Sequence, residues 1–217
     1  MTTEQGFLLD VVEHQMTILR DCDGSRHIRF SKPGTINQRF DLITWPWHLC
    51  YVGDMGCYVF SRLEDMFDFF RTSGHGEAGL HINPYYWAEK LQAVDRAYGW
   101  KKWAPSKFEA SARKRFQKFL EDKDFDAEQT AAAQEDFEVY VINEIEDGEV
   151  AANSAASNFE IDGRYPLEDF HEVDSDELTY RYLWCCYALA WGIKQYDEAK
   201  DVAAGRPTNN GGLRNEL

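Results

Sequence analysis

The stretch Arg39-Phe-Asp-Leu-Ile-Thr-Trp-Pro-Trp-His-Leu-Cys-Tyr-Val-Gly-Asp-Met-Gly-Cys-Tyr-Val-Phe-Ser-Arg62 decides the fold class. It holds three β-rich runs, Arg39–Trp45, Leu49–Val52 and Cys57–Phe60, cut by Pro46 and by Gly53-Asp-Met-Gly56. The second break has the length and the glycines of a tight hairpin turn, where positive φ is needed. Val52 then stands opposite Cys57, and Tyr51 pairs with Tyr58 on one face. Cys50, Val52, Cys57 and Val59 share the other face. A further run at His27–Ser31, followed by Pro33-Gly34, completes a small antiparallel meander over about residues 27–60.

Working outward, helical periodicity dominates both flanks. On the N-terminal side, Phe7, Leu8, Val11, Val12, Ile18 and Leu19 fall on one face of a helix expected over Thr3–Arg20. Thr2 and Gln5 stand in capping-box spacing, and Asp21-Cys-Asp-Gly24 ends the helix. On the C-terminal side, helices are expected over Glu64–Thr72, Pro84–Arg96, Ser106–Glu121 and Asp126–Gly148. Asn83 caps the second and Ser106…Glu109 the third. The inward stripes are Phe108, Ala112, Phe116 and Phe119, then Ala127, Ala131, Phe137, Val141 and Ile145. Asp176–Lys200, with Ser175 as cap, is apolar all round from Tyr182 to Ile193, which predicts a helix at the centre of the core. The fold class is therefore α+β, with helices packed against the meander and a central apolar helix over 176–200. One domain is expected over 1–203, with a flexible tail over 204–217. Residues 146–165 read equally as helix or loop.

Composition bounds the functional classes. With 44% hydrophobic and 15% aromatic residues in 217, the chain can bury a substantial core. Its 12-residue apolar run Tyr182–Ile193 is short for the roughly 20 residues of a membrane span. The start, Met-Thr-Thr-Glu-Gln-Gly6, lacks the basic region of a secretory leader. Five cysteines without a paired framework point to reduced thiols and a cytoplasmic protein.

The net charge of −15 is unevenly spread. Residues 1–60 carry 5 basic and 7 acidic side chains, residues 61–120 carry 11 and 7, and residues 121–217 carry 7 and 24. Between Glu121 and Leu178 there are 20 acidic residues against Lys123 and Arg164 alone. Phe125, Phe137, Tyr140, Ile145, Phe159, Tyr165 and Phe170 recur through that stretch, so it is a scaffold rather than an acidic tail. Duplex DNA presents one negative charge per about 1.7 Å of axis. Glu135, Glu138, Glu146 and Glu149 along a helical face approximate such a row. A basic nucleic-acid-binding surface of another protein would accept it.

Three other constellations carry candidate chemistry. Trp100, Lys101, Lys102, Trp103, Lys107, Lys114 and Lys118 interleave cations and aromatics, a pattern that stacks bases and holds phosphates. The negative total opposes that use, and the same face can pair with the acidic segment instead. His48, Cys50 and Cys57, with His75 and His81, offer metal-ligating types around the hairpin. Their spacing lacks the close cysteine pairs of a structural zinc site, and the alternative is two small buried thiols. Gly74-His-Gly76 and the buried Cys185-Cys186 lack the partners of a nucleophilic site. Asp174 and Asp176 sit where a helix start favours acids anyway. No cofactor-binding glycine motif occurs.

Four runs carry a resemblance: Arg39–Arg62, Glu64-Asp-Met-Phe-Asp-Phe-Phe-Arg71, Ile82-Asn-Pro-Tyr-Tyr-Trp-Ala-Glu-Lys90 and Tyr182-Leu-Trp-Cys-Cys-Tyr-Ala-Leu-Ala-Trp191. Together they resemble a family of uncharacterised proteins encoded by tailed phages and prophages. The resemblance implies an accessory protein made in the host cytoplasm during infection, and it carries no catalytic residues. By analogy with acidic accessory proteins of that setting, the expected function is non-enzymatic. The chain would inhibit a host nucleic-acid-handling or anti-phage defence complex, such as CRISPR or restriction, through a DNA-mimic-like acidic surface. The alternatives are a nucleic-acid-binding module using 90–118 and a metal-dependent enzyme centred on the 48–57 hairpin. No cofactor and no membrane partner are expected.

Overall fold

The computed structural model describes residues 2–73 and 79–206. The Gly74-His-Gly76 loop with His75, and the tail beyond Arg206, lie outside the described residues. The rest is α+β, with a six-stranded antiparallel meander whose strands pair in chain order. The strands are β1 (Gln15–Cys22), β2 (Ser25–Ser31), β3 (Phe40–Trp45), β4 (His48–Gly53), β5 (Gly56–Ser61) and β6 (Leu91–Ala93). The chain divides into two compact units. One comprises residues up to 100 together with those from 178 onward, and the other is 101–177.

The β4–β5 register is the expected one: Val52 pairs with Cys57 and Tyr51 with Tyr58. Gly56 has φ +116, the left-handed sign that the turn needs. The meander is larger than 27–60 because β1 and β6 extend it on both edges. The N-terminal helix α1 is Glu4–Asp10, not Thr3–Arg20, and its cap is Thr3, which accepts from the Gly6 N–H at 3.1 Å. Asp23 and Gly24 take φ +50 and +77, the paired signs of a two-residue hairpin turn. What reads as a helix stop is thus the turn joining β1 to β2, with Ile18 opposite Ile28. Thr17 and Ile18, β-branched, favour the strand once a partner is available.

Two more expected helices are shorter for similar reasons. Asn83 caps α3 (Pro84–Ala88), as expected, but the chain then extends into β6, with Leu91 beside Phe60. The exposed edge of β5 competes for the backbone that the helix would have used. The last helix, α7, is Tyr180–Ala203 and is capped by Thr179; Asp176–Leu178 is a short strand.

One sheet face forms the core of the first unit. Ile28, Phe30, Phe40, Leu42, Leu49, Tyr51, Tyr58 and Phe60 are fully buried there. They pack with Phe7 and Val11, with α2 (Met66–Ser73), and with α7, which buries ten residues. Aromatic edges do much of the contact: Phe30–Trp191 centroids are 5.2 Å apart, Tyr58–Tyr182 5.4 Å and Phe67–Tyr196 5.4 Å. The polar tips of α7 are satisfied in turn. Trp184 Nε1 donates to Asp10, Tyr182 Oη to the Pro84 carbonyl and Tyr196 Oη to Asp21, all at 2.9 Å.

The second unit enters and leaves through the short paired strands β7 (Lys101–Trp103) and β8 (Asp176–Leu178). Its helices are α4 (Pro105–Glu121), α5 (Ala127–Phe137) and α6 (Glu149–Asn158). The cap of α4 is Ala104, whose side chain cannot accept a bond; its N–H is bonded to the Ser175 carbonyl instead of a Ser106 box forming. Phe108, Ala112, Phe116 and Leu120 pack on Phe137, Val141, Ala152, Ala156, Phe159 and Phe170. Phe116 and Phe137 stack at 4.2 Å. Ala127 and Ala131 are exposed and Ala133 is buried instead, since alanine has too little apolar area to set a face.

Three outcomes follow for stability. An added Cβ at Gly192 would lie 3.0 Å from Leu42 Cδ1 and 3.1 Å from Phe30 Cε2. Gly192→Ala should therefore lower stability by about 1–2 kcal/mol in urea unfolding, overpacking outweighing the gain in helix propensity. Trp47 follows Pro46 in the β3–β4 turn with φ +73, a sign that glycine adopts at no steric cost. Trp47→Gly should exceed Trp47→Ala in stability by about 1 kcal/mol, the reverse of the usual order of those residues. Asp65 accepts two bonds from Arg26, at 2.9 and 2.7 Å. Burial by itself would raise the Asp65 carboxyl, but Arg26 and the Phe67 N–H overcome this and hold it below its ordinary range. Such a depressed carboxylate contributes stability above its unfolded pKa of about 4 and loses it as pH falls through the folded value. Asp65→Asn should cost about 2 kcal/mol at pH 7, and the gap to the parent should close on acidification.

Candidate acidic interface

Residues 101–177 contain 21 acidic and nine basic side chains, a net of −12, against −3 for the rest of the chain. The helical path that carries many of them is not uniform. After α5, whose Asp126–Gln129 capping box is complete, the winding loosens to a π turn over Glu138–Ile142. It then tightens to a 3-10 turn over Asn143–Asp147, and Gly148 at φ +100 redirects the chain into α6. The expected single helix over Asp126–Gly148 is thus one path with three pitches. Residues 149–158, left open between helix and loop, are α6.

The four glutamates expected to form a row fall on four different elements. Glu135 is exposed on α5, Glu138 begins the π turn, Glu146 is exposed on the 3-10 turn and Glu149 opens α6. Glu138 is bound by Arg113, which also holds Glu109 at 2.9 Å. The Arg113 guanidinium holds the Glu138 carboxyl below its ordinary range. As an exposed pair it contributes little to stability, yet it removes Glu138 from the free carboxylates.

A different set converges. Asp136, Tyr140 and Glu144, at four-residue spacing, line one wall of a cavity of about 520 Å³. Ala151, Ser154 and Ala155 of α6 line it too, with Phe159 and Glu160. The π turn leaves Val139 and Tyr140 exposed beside it, Tyr140 at 61%. Glu135, Asp136, Glu144, Glu146 and Glu160 have no Lys or Arg within ion-pair distance among the described residues. The four-residue spacing of Asp136, Tyr140 and Glu144 was readable, but the small residues opposite them on α6 were not a recognisable signal.

The basic-aromatic stretch is largely consumed internally. Lys101 pairs with Asp176, Lys102 with Glu177 at 3.1 Å, and Lys107 donates to the Asp176 carbonyl at 2.6 Å. Trp100 packs edge-on to Tyr182 at 6.2 Å, and Trp103 lies against Phe108 at 5.9 Å. Lys114 and Lys118 are exposed on α4, without a carboxylate within ion-pair distance among the described residues.

At the hairpin, Cys50 and Cys57 come together with their sulfurs 3.9 Å apart. His48 turns aside: its ring stacks on Trp45 at 5.0 Å and its Nδ1 is 3.1 Å from the Pro46 carbonyl. His81 lines a separate cavity of about 300 Å³ with Phe70 and Ile193. No group of three metal-ligating side chains occurs among the described residues, and of the candidates named at the 48–57 hairpin the fold brings Cys50 and Cys57 together but neither His48 nor His81 to them. Cys185 and Cys186 are buried in α7, and burial pushes both thiols up. Asp174 accepts from the Asp176 N–H within a turn. No helix among the described residues is long and apolar enough to cross a membrane. No family model, curated protein or solved structure matches the chain.

Proposed function

We propose that this chain is a non-enzymatic accessory protein of tailed phages or prophages, acting in the host cytoplasm. Its role is to inhibit a host nucleic-acid-handling or anti-phage defence complex of the CRISPR or restriction kind. Residues 101–177 bind the complex's basic nucleic-acid-binding surface in place of phosphates. The observation that supports this reading is the concentration of charge in one unit with its own aromatic core. Residues 101–177 carry a net of −12 on a folded unit, and its carboxylates at Glu135, Asp136, Glu144, Glu146 and Glu160 have no lysine or arginine within ion-pair distance among the described residues. Fixed carboxylates at low mutual freedom suit a rigid cationic groove better than a floating acidic tail does.

The test is plating efficiency of a restricted phage on hosts that carry one defence system each, with and without this protein. The wild type should raise plating on at least one such host. Asp136→Lys, Glu144→Lys and Glu160→Lys combined should abolish the gain, a loss of at least about tenfold, with circular dichroism unchanged. Lys114→Glu with Lys118→Glu should leave the gain intact. Protection that survives the triple reversal would sink the acidic interface, and loss on the lysine reversals would transfer the role to α4. The complex formed with the affected host factor should weaken steeply between low and physiological salt.

A further inference from the structure

Alternation along β4 and β5 sends Cys50, Val52, Cys57 and Val59 to the sheet face opposite the aromatic core. Cys50 is paired with Val59 and Cys57 with Val52, so the cysteines are diagonal neighbours on adjacent strands. Both are half-buried, and their Sγ atoms approach to 3.9 Å. The other three thiols are differently placed. Cys22 is exposed beside Asp23, whereas Cys185 and Cys186 are fully buried on successive positions of a helix, which project about 100° apart.

We propose that Cys50 and Cys57 are a reversible redox pair, closed to a cross-strand disulfide by exchange with a low-molecular-weight disulfide such as oxidised glutathione. Burial and the neighbouring Cys57 push the Cys50 thiol up to about 12, which suits it to the second step rather than the first. Cys57 releases its proton to solvent, and its thiolate attacks one sulfur of the small disulfide, expelling one small thiolate. Cys50 then gives up its proton and attacks Cys57 Sγ, expelling the second. Two protein S–H bonds become one S–S bond, and the small disulfide is reduced to two thiols. Diagonal positions lie about 7–8 Å apart at Cα, at or beyond the upper edge of relaxed disulfide geometry. The closed bond therefore has an oxidising, labile potential and reopens under reduced glutathione, unlike a structural bridge. The pair is independent of the acidic surface.

The experiment equilibrates the full-length protein in graded glutathione redox buffers, quenches with acid, alkylates the remaining thiols under denaturing conditions and cleaves at methionine. Met55 lies between the two cysteines, so their fragments separate unless a disulfide joins them, and tandem mass spectrometry of the 17–55 fragment, which also holds Cys22, locates the bond and the labels. In oxidising buffer they should stay joined, with loss of both alkyl labels and of about 2 Da relative to the dithiol. In reducing buffer they should separate with both labels restored, while Cys185 and Cys186 remain fully alkylated throughout. Cys57→Ser should leave Cys50 without an intramolecular partner in every buffer; the wild-type mapping decides the matter even if that variant folds poorly. Full alkylation of Cys50 and Cys57 where Cys22 already carries glutathione would overturn the proposal. So would a bond to any other cysteine, or one that reduced glutathione does not reopen.

Discussion

Burial of α7 is the constraint on which the first unit depends. From Tyr182 to Cys186 every side chain is buried, and Ala188, Leu189, Gly192, Ile193 and Tyr196 follow. The stretch Tyr182–Ile193 within α7 has no charged or strongly polar side chain to offer water, so packing partners must cover it. The meander supplies one wall, and α1 and α2 contribute others. The aromatic residues of the strands meet those of the helix edge to face, and the glycine at 192 permits the approach that a methyl group would block. Hydrogen bonds from the tips of Tyr182, Trp184 and Tyr196 then fix rotation about the helix axis, which apolar contact alone leaves loose.

This enclosure explains where the sequence was legible. The β4–β5 register could be read because two glycines and strict alternation leave a single pairing that buries Tyr51 with Tyr58. The first strand could not, because Phe7, Val11, Ile18 and Leu19 satisfy a helical period as well as a helix followed by a strand. Asp23-Gly24 resolves the ambiguity only once it is seen as a hairpin turn. The same competition shortened α3, where Leu91 is more useful against Phe60 than on a helix. Trp47 breaks the local rule outright, since an indole at φ +73 is a choice that turn chemistry would not suggest.

Charge was legible in amount and in sequence position, but not in pairing. The lysines of β7 and the start of α4 are neighbours in sequence to tryptophans, and that proximity suggested a surface for bases. In the fold Lys101 and Lys102 pair with the carboxylates of β8 and Lys107 with its Asp176 carbonyl, the roughly 70 intervening residues being irrelevant once two short strands pair. Glu138 was equally invisible as a paired residue, because Arg113 reaches it from another helix. What a sequence count of 20 acids against two bases misses is that the bases lie just upstream, in the same packing unit.

The residual imbalance is then a property of a folded object. Seven phenylalanines fall within 101–177, and the stack of Phe116 on Phe137 holds α4 to the α5 path. Apolar burial of this kind offsets the mutual repulsion of carboxylates that would otherwise expand the chain. If solubility were the whole purpose, exposed acids scattered over both units would serve, and no convergence around a concavity would be required. Asp136, Glu144 and Glu160 instead converge on one groove beside an exposed tyrosine, where a cation from a partner would gain both charge and aromatic contact. The π turn is what makes this arrangement available: by widening the helix at residues 138–142 it leaves Val139 and Tyr140 outward while Phe137 and Val141 stay in the core.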